Sequence, residues 1–401
     1  MRQGSGRRFV LGSAILALAL AVGAGPARAE QSTTVDLYGF AMLDMGYQTG
    51  QNDPDWFDVV RPTKLPSFEN EFGHDGRFFS GVRQSRFGVK SATPTSKGDL
   101  NTIFEFELFG VGPDAGQTTF RLRHAWGELG KFGAGQTWSP FMDPDVFPNS
   151  VEYWGPTGMV FFRNVQVRWT PFSGNNTLMF ALERPGASGD GGVYATRVEL
   201  TDVSPRFPLP DLSARWRHTA DWGHFQVAGI LREIKWDDLG TVPGDISGDQ
   251  LGWGVNVSTN VKFGAKNLIR ASVVYGEGIE NYMNDAPADI GITNDPTDIG
   301  EALPLLGLVA FYERTWSDKF SSCIGYSSID IDNSDGQAPS AFHIGQYALA
   351  NLLYYPVPNV MLGPELQWGK RENNSDGFTV DDFRIQFSAK YNFNWRLGGK
   401  S

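Results

Sequence analysis

The sequence predicts an all-β fold, a transmembrane antiparallel up-and-down β-barrel of about sixteen strands with one loop folded inward. Three observations predict it. Apolar and polar residues alternate in runs of about ten along nearly the whole chain, the period of a strand with one oily and one wet face. The connectors alternate between short and long, as where a barrel has tight turns at one end and loops at the other. Tryptophans fall near run ends, at Trp138, Trp169, Trp216, Trp236, Trp316, Trp368 and Trp395. Aromatic rings favour the boundary between acyl chains and water.

The 401 residues carry a formal charge of −11. Residues 1–29 read as a signal peptide. Arg7 and Arg8 precede an uncharged apolar stretch from Phe9 to Gly25, and Ala27-Arg28-Ala29 offers a cleavage site. Residues 30–401 read as one barrel domain. The leader holds Arg2, Arg7, Arg8 and Arg28 of the 34 basic residues and none of the 45 acidic ones, so the mature charge is −15. That sign argues against a nucleic-acid partner. Cys323 is the single cysteine, which excludes a small disulfide-stapled domain; it reads as a small packed apolar side chain. Beyond the leader no apolar run reaches the length of about 18 residues that a transmembrane helix needs.

VDLYGFAMLDM (35–45) opens the alternation, followed by SRFGVKSA (85–92), LNTIFEFELFG (100–110), TFRLRHAWGELG (119–130) and KFGAGQTW (131–138). The middle of the chain gives VQVRWTPF (165–172), TLMFALE (177–183), LSARWRHTA (212–220), FQVAGILREIKW (225–236) and LGWGVNVSTNVKF (251–263). NLIRASVVYG (267–276), LLGLVAFYERTW (305–316), FSSCIGYSSIDI (320–331), FHIGQYALANLLYY (342–355) and VMLGPELQW (360–368) follow. DDFRIQFSAKYNFNW closes the series and is the cleanest case. Phe383, Ile385, Phe387, Ala389, Tyr391 and Phe393 share one face, and Arg384, Gln386, Ser388, Lys390 and Asn392 share the other. A soluble sandwich also alternates, but with a polar outer face and shorter strands. Here the oily face is rich in Phe, Leu, Val and Trp over about the 9–11 residues that a tilted strand needs to cross a bilayer.

If apolar positions face lipid, their neighbours face the lumen. Parity then turns Arg86, Lys90, Arg121, Arg123, Arg168, Arg215, Arg217, Arg270, Arg384 and Lys390 inward. Acids on wet positions are fewer, with Asp36, Asp44, Glu105, Glu107 and Glu365 the clearest; most other carboxylates lie in the long connectors. A polar bore walled by low dielectric focuses such a field and concentrates anions, and arginine pairs bidentately with carboxylate. A plainer reading is that these arginines balance Glu105, Glu107 and the loop acids. Both can hold.

A sixteen-stranded barrel leaves a wide aqueous channel, so something must narrow it. The aperiodic stretch 139–160 after the fifth run is the candidate. Pro140, Pro144, Pro148 and Pro156 stiffen it; Phe141, Phe147, Tyr153 and Trp154 give it a small core for folding inward. Asp143, Asp145 and Glu152 are expected to face Arg121, Arg123 and Arg168 across the opening. The other reading of the stretch is an outer cap or a contact with a neighbouring subunit.

At VDLYGFAMLD, SRFGVKSATPT, LRHAWGELGKFGAGQTWSPFMDPDVFP and NVQVRWTPF the chain resembles the DcaP-like family of Gram-negative outer-membrane porins. The resemblance is close over about the first 140 mature residues and rests mainly on pattern thereafter. It implies a sixteen-stranded homotrimeric porin, seated in a lipid bilayer with lipopolysaccharide. It also implies passage of small organic anions, with dicarboxylates and aromatic acids among the candidates, and a loop holding DPDVFP as the inward constriction. Two departures stand out. Some members carry a periplasmic coiled coil before the barrel, and Glu30–Thr34 leaves no room for one. Barrels commonly end on an aromatic, whereas RLGGKS follows Trp395.

No cofactor, metal or catalytic set is expected. DIDNSDG (330–336) has Asp335 where an EF-hand needs glycine, and Ala341 where it needs glutamate. His74, His124, His218, His224 and His343 show no metal-ligand spacing. The leading expectation is a passive channel. A structural or surface-binding barrel with a plugged lumen, and a barrel enzyme with a Ser-His pair at the outer rim, are the alternatives.

Overall fold

The computed structural model describes residues 32–192, 195–296 and 298–398. The predicted signal peptide lies outside the described residues. One continuous antiparallel sheet closes on itself, and short continuations join the strands they extend to give sixteen staves. These begin with β1 (Thr34–Gln48), β2 (Arg86–Thr95, continued by Arg77–Gly81), β3 (Gly98–Phe109), β4 (Thr118–Leu129), β5 (Phe132–Trp138) and β6 (Arg163–Phe172). Next are β7 (Asn176–Glu183), β8 (Asp211–Ala220, continued by Val203–Arg206), β9 (Gly223–Asp238), β10 (Gly248–Phe263) and β11 (Asn267–Glu277). The last are β12 (Pro304–Ser317), β13 (Phe320–Ile331), β14 (Phe342–Asn351, continued by Leu353–Tyr354), β15 (Val360–Asn373) and β16 (Thr379–Leu397). Neighbours in the chain are neighbours in the sheet, and β16 closes on β1 from Val35↔Leu397 to Gln48↔Arg384. Each of the sixteen runs in the sequence falls on one stave.

The faces are inverted relative to a soluble protein. On β16, Phe383, Ile385, Phe387 and Tyr391 are exposed on the outside, while Arg384, Gln386 and Ser388 are buried inside. Phe120 is 80% exposed and Gln386 0%. Only lipid makes that arrangement stable, because large contiguous apolar surfaces are rare on soluble monomers.

Two local departures from the simple pattern occur, one in side-chain direction and one in the chemistry of the faces. The pairing of β3 with β4 shifts register between Glu105 and Phe106. This bulge leaves consecutive Arg123 and His124 both buried, an outcome strict alternation forbids. β9 keeps one parity from end to end, with His224, Gln226, Ala228, Ile230, Arg232, Ile234 and Trp236 all buried, but near its outer end the chemistry of the faces swaps, so that Ile234 and Trp236 lie inside and Glu233, Lys235 and Asp237 lie on the other side. The stave has left the oily layer there, so its apolar residues pack under loops instead. Trp236 is therefore an inner residue and no part of an aromatic belt. Trp138 also turns inward, edge-on to His124 and Phe161. Trp169, Trp216, Trp316 and Trp395 are exposed on the outside as expected.

Candidate constriction site

The stretch 139–162 leaves β5 and turns into the barrel. Its local fold follows from its sequence. Asp143 caps a single 3₁₀ turn, Pro144–Val146, by accepting from the Asp145 N–H at 3.1 Å, and Pro144 takes the first position, where no N–H is needed. Further on, Gly155 has φ +83°, open to glycine at no cost. Its N–H, with those of Val60 and Trp154 at 3.0 and 3.1 Å, donates to Glu152. Gly158 passes so close to β12 and β13 that a Cβ would strike the Ser328 carbonyl.

The wall holds this loop along its length. His224 Nε2 and Ser258 Oγ each lie 2.6 Å from Asp143 Oδ2. Asn256 donates to the Phe141 carbonyl at 2.9 Å and Asn260 to that of Asp145 at 2.6 Å. On the opposite wall Glu365 accepts from the N–H groups of Val151 and Glu152, at 2.9 and 3.1 Å, and Gln386 donates to the Val151 carbonyl at 3.1 Å. The loop thus crosses the barrel from β9–β10 to β15–β16. Apolar packing fills the first side. Phe141, Met142, Val146, Met159 and Val160 are buried against Ala228, Ile230, Val274, Val309 and Phe311.

The other side is ionic. Glu107 is buried, with Arg123 Nη1 at 2.6 Å, Arg86 Nη2 at 3.4 Å, and Arg121 Nη1 and Arg163 Nη2 at 3.6 Å. The Tyr153 hydroxyl donates to it as well. Glu105 takes Arg123 Nε at 2.6 Å and the Tyr38 hydroxyl at 2.7 Å. Two carboxylates therefore meet four guanidinium groups, a formal surplus of two positive charges. Beside them a cavity of about 260 Å³ is bordered by Arg121, Arg163, Arg184, Tyr153, Trp154 and Phe161. Arg163 Nη1 is buried without an acceptor among protein groups.

A second basic set lies nearer the short-turn end of the barrel. Arg217 contacts Asp143 at 3.4 Å and also Asp145. Arg270 reaches Glu313 at 2.7 Å and the Asp145 carbonyl. Arg168 pairs with Glu128 at 3.3 Å, and Arg215 lies 2.9 Å from Met179 Sδ. Lys90 sits over Tyr38 and Lys390 over Phe40, at 4.6 and 4.0 Å. Arg384 points inward but is sealed by the loop between β1 and β2, donating to the Phe57 carbonyl at 2.7 Å.

The expected pairing across the opening does not form. Asp143 and Asp145 meet Arg217, not Arg121, Arg123 or Arg168, and Glu152 serves as a cap for backbone N–H groups. The physical reason is local supply. Glu105 and Glu107 on the adjacent stave already neutralise Arg121 and Arg123, and Glu128 takes Arg168. Phe141, Asp143 and Glu152 are buried in the loop's seat, Phe147 packs against Phe161, and Asp145 keeps a half-exposed carboxylate. Tyr153 and Trp154 border the cavity. Burial pushes the Glu152 carboxyl up to about 7, against its three backbone N–H bonds. For Asp143 burial pulls the same way but loses to the His224 hydrogen bond and charge, Ser258 and Arg217, so it stays below the usual carboxylate range.

Sequence reasoning missed Arg163 and Arg184. Both sit where a run meets a loop, so period two carries no signal about their direction. It also missed that Asp143, Asp145 and His224 bring ligand-type atoms within 4.8 Å of one another. Arg217 engages both carboxylates and Ser258 bonds to Asp143, so the group acts as a clasp between loop and wall.

Comparisons with known proteins agree with this architecture. The family model of the DcaP outer membrane protein matches residues 26–393. The crystal structure of the outer membrane channel DcaP of Acinetobacter baumannii superposes with a TM-score of 0.76 at 24% identity, covering 90% of this chain and 97% of that one. An anion-selective porin from Comamonas acidovorans gives 0.59 at 11% identity, covering 90% and 100%. The trimer form of OmpT, an outer membrane protein of Vibrio cholerae, gives 0.55 at 14%, covering 90% and 99%. None of the curated protein sequences matches significantly.

Proposed function

The chain belongs to the DcaP outer membrane protein family, and from that premise we propose that it is a porin for passive diffusion of small organic anions, dicarboxylates and aromatic acids among them. One observation carries the reading: the cavity beside the inward loop is bordered by Arg121, Arg163 and Arg184, next to a cluster with more guanidinium groups than carboxylates. In a water-poor passage such a surplus replaces part of an anion's hydration, while the loop limits its size. Lys90, Arg168, Arg215, Arg217, Arg270 and Lys390 continue the basic wall toward the short-turn end; Arg86, Arg121 and Arg123 form its waist. Trp154, Tyr153 and Phe161 give the cavity an aromatic border. Release stays fast because each arginine near an acid is already partly neutralised, so no single step binds tightly.

The anion-selective porin from Comamonas acidovorans and the trimeric OmpT form share the fold and favour the same reading for selectivity and for a homotrimer in the outer membrane. The export signal read at residues 1–29 fits that location. Liposome swelling tests the function. A panel of monocarboxylates, dicarboxylates, aromatic acids and a neutral sugar of similar size is compared through the intact protein. Faster entry of the dianions than of the sugar is expected; equal rates, or no swelling at all, would contradict it.

A further inference from the structure

The loop between β11 and β12 pins the inward loop from above. Tyr282 O accepts from the Phe161 N–H at 3.0 Å, and Asn284 donates from its N–H to the Met159 carbonyl at 2.8 Å. Asn284 O accepts from Trp154 Nε1 at 2.7 Å. This pinning loop begins with Glu280 and Asn281, each 1% exposed. Neither carboxylate oxygen of Glu280 and neither amide atom of the Asn281 side chain has a hydrogen-bond partner among the protein groups. Native structures leave few buried polar atoms unpaired, and three acceptor oxygens on consecutive residues call for a ligand.

The surrounding charge says which kind. The Asn281 N–H donates to Asp289 Oδ1 at 2.8 Å. Asp289, 0% exposed, has Arg232 Nη1 2.9 Å from its other oxygen, and Arg232 Nε reaches Asp211 at 3.1 Å. One guanidinium thus serves Asp211 and Asp289 together, and its charge, with the backbone N–H groups of Ile279 and Glu280, offsets the Glu280 carboxylate only in part. Burial, with the Asp289 charge beside it, drives the Glu280 carboxyl well above its ordinary range. A proton alone would neutralise Glu280, but it would leave the other Glu280 oxygen and the Asn281 amide oxygen unserved. A hard cation serves all of these. The available donors are oxygens with no sulfur or imidazole among them, the set that suits calcium and not zinc.

We propose that Glu280 and Asn281, with Asp289 behind them, hold one calcium-class divalent cation that braces the loop pinning the constriction. Glu280 supplies both carboxylate oxygens and Asn281 its amide oxygen. Oxygen sites of this kind in extracellular modules bind calcium with dissociation constants of about 0.1–1 mM.

The test uses the full barrel, freed of lipopolysaccharide, in non-ionic detergent at neutral pH. After EDTA and desalting it is titrated with calcium chloride alone by calorimetry. One saturating calcium per chain is expected in the intact protein and none in Glu280→Gln. No saturable uptake by the intact protein would overturn the proposal and assign a proton to Glu280. Equal uptake by Glu280→Gln would overturn it too. Asn281→Asp decides the matter if Glu280→Gln does not fold. An added charge in a cation site tightens binding, here about tenfold, whereas unchanged or weaker binding contradicts the site.

Discussion

Across the lumen from each other, the two flanks of the inward loop meet opposite chemistry. Along β9–β13 it meets Ala228, Ile230, Val274, Val309, Phe311 and Ile329, an apolar seam edged by the polar clasp of Asp143 to His224 and Ser258. Along β2–β6 it meets Arg86, Glu107, Arg121, Arg123 and Arg163, with a cavity alongside. The difference teaches how a loop is held still inside a wet bore. The apolar flank supplies adhesion, since burial of such side chains is favourable and needs no partner. The ionic flank costs desolvation that its pairs only partly offset, so stability does not explain its arginine surplus. The use proposed for that surplus is the field it makes.

The largest effect expected is at Arg123, which serves both Glu105 and Glu107 at 2.6 Å. Arg123→Ala strips buried carboxylates of their closest partner and is expected to cost about 3–5 kcal/mol in urea unfolding from lipid vesicles. A loss below about 1 kcal/mol would make the ionic flank an ordinary wet surface and end the comparison.

Glu152 sharpens the contrast, because it joins the loop to the first outer loop through the Val60 N–H. With its carboxyl pushed up to about 7, the folded state holds that proton more firmly than an unfolded chain, whose glutamates titrate near about 4.3. Stability therefore rises as pH falls from above 7 toward the unfolded value, by at most about 4 kcal/mol, and is lost as pH rises through about 7. Unfolding across that window checks it, and Glu152→Gln is expected to flatten the profile.

Ile230→Val trims the apolar flank. It is expected to cost about 0.5–1.5 kcal/mol and to leave ion selectivity as it was. A selectivity change there would mean that the two flanks are not separable. Smallest of all is Arg206→Ala, which removes an exposed pair with Asp237 at 2.6 Å outside the lumen. Exposed pairs contribute little, and neither stability nor conductance should move measurably.

Much of the fold was legible because lipid imposes one rule on every crossing strand. VQVRWTPF or DDFRIQFSAKYNFNW shows its outer face from period two alone, and the aperiodic stretch after β5 marks the inward loop. The rule ends where the lipid ends. Trp236 lies beyond it and points inward, and Arg163 and Arg184 stand at stave ends where parity has no hold. The bulge that turns both Arg123 and His124 inward is invisible to any period. Partner choice was the least legible part. Asp143 meets His224 and Ser258, residues 81 and 115 positions away, and only the closed sheet brings them together.

The guanidinium surplus beside the inward loop is proposed to choose anions. Reversal potential across a planar bilayer under a potassium chloride gradient tests it most directly, comparing the intact protein with Arg163→Gln and Arg121→Ala. An anion-selective potential is expected in the intact protein, moving toward zero in each variant. A cation-selective potential, or one that neither substitution changes, would contradict it.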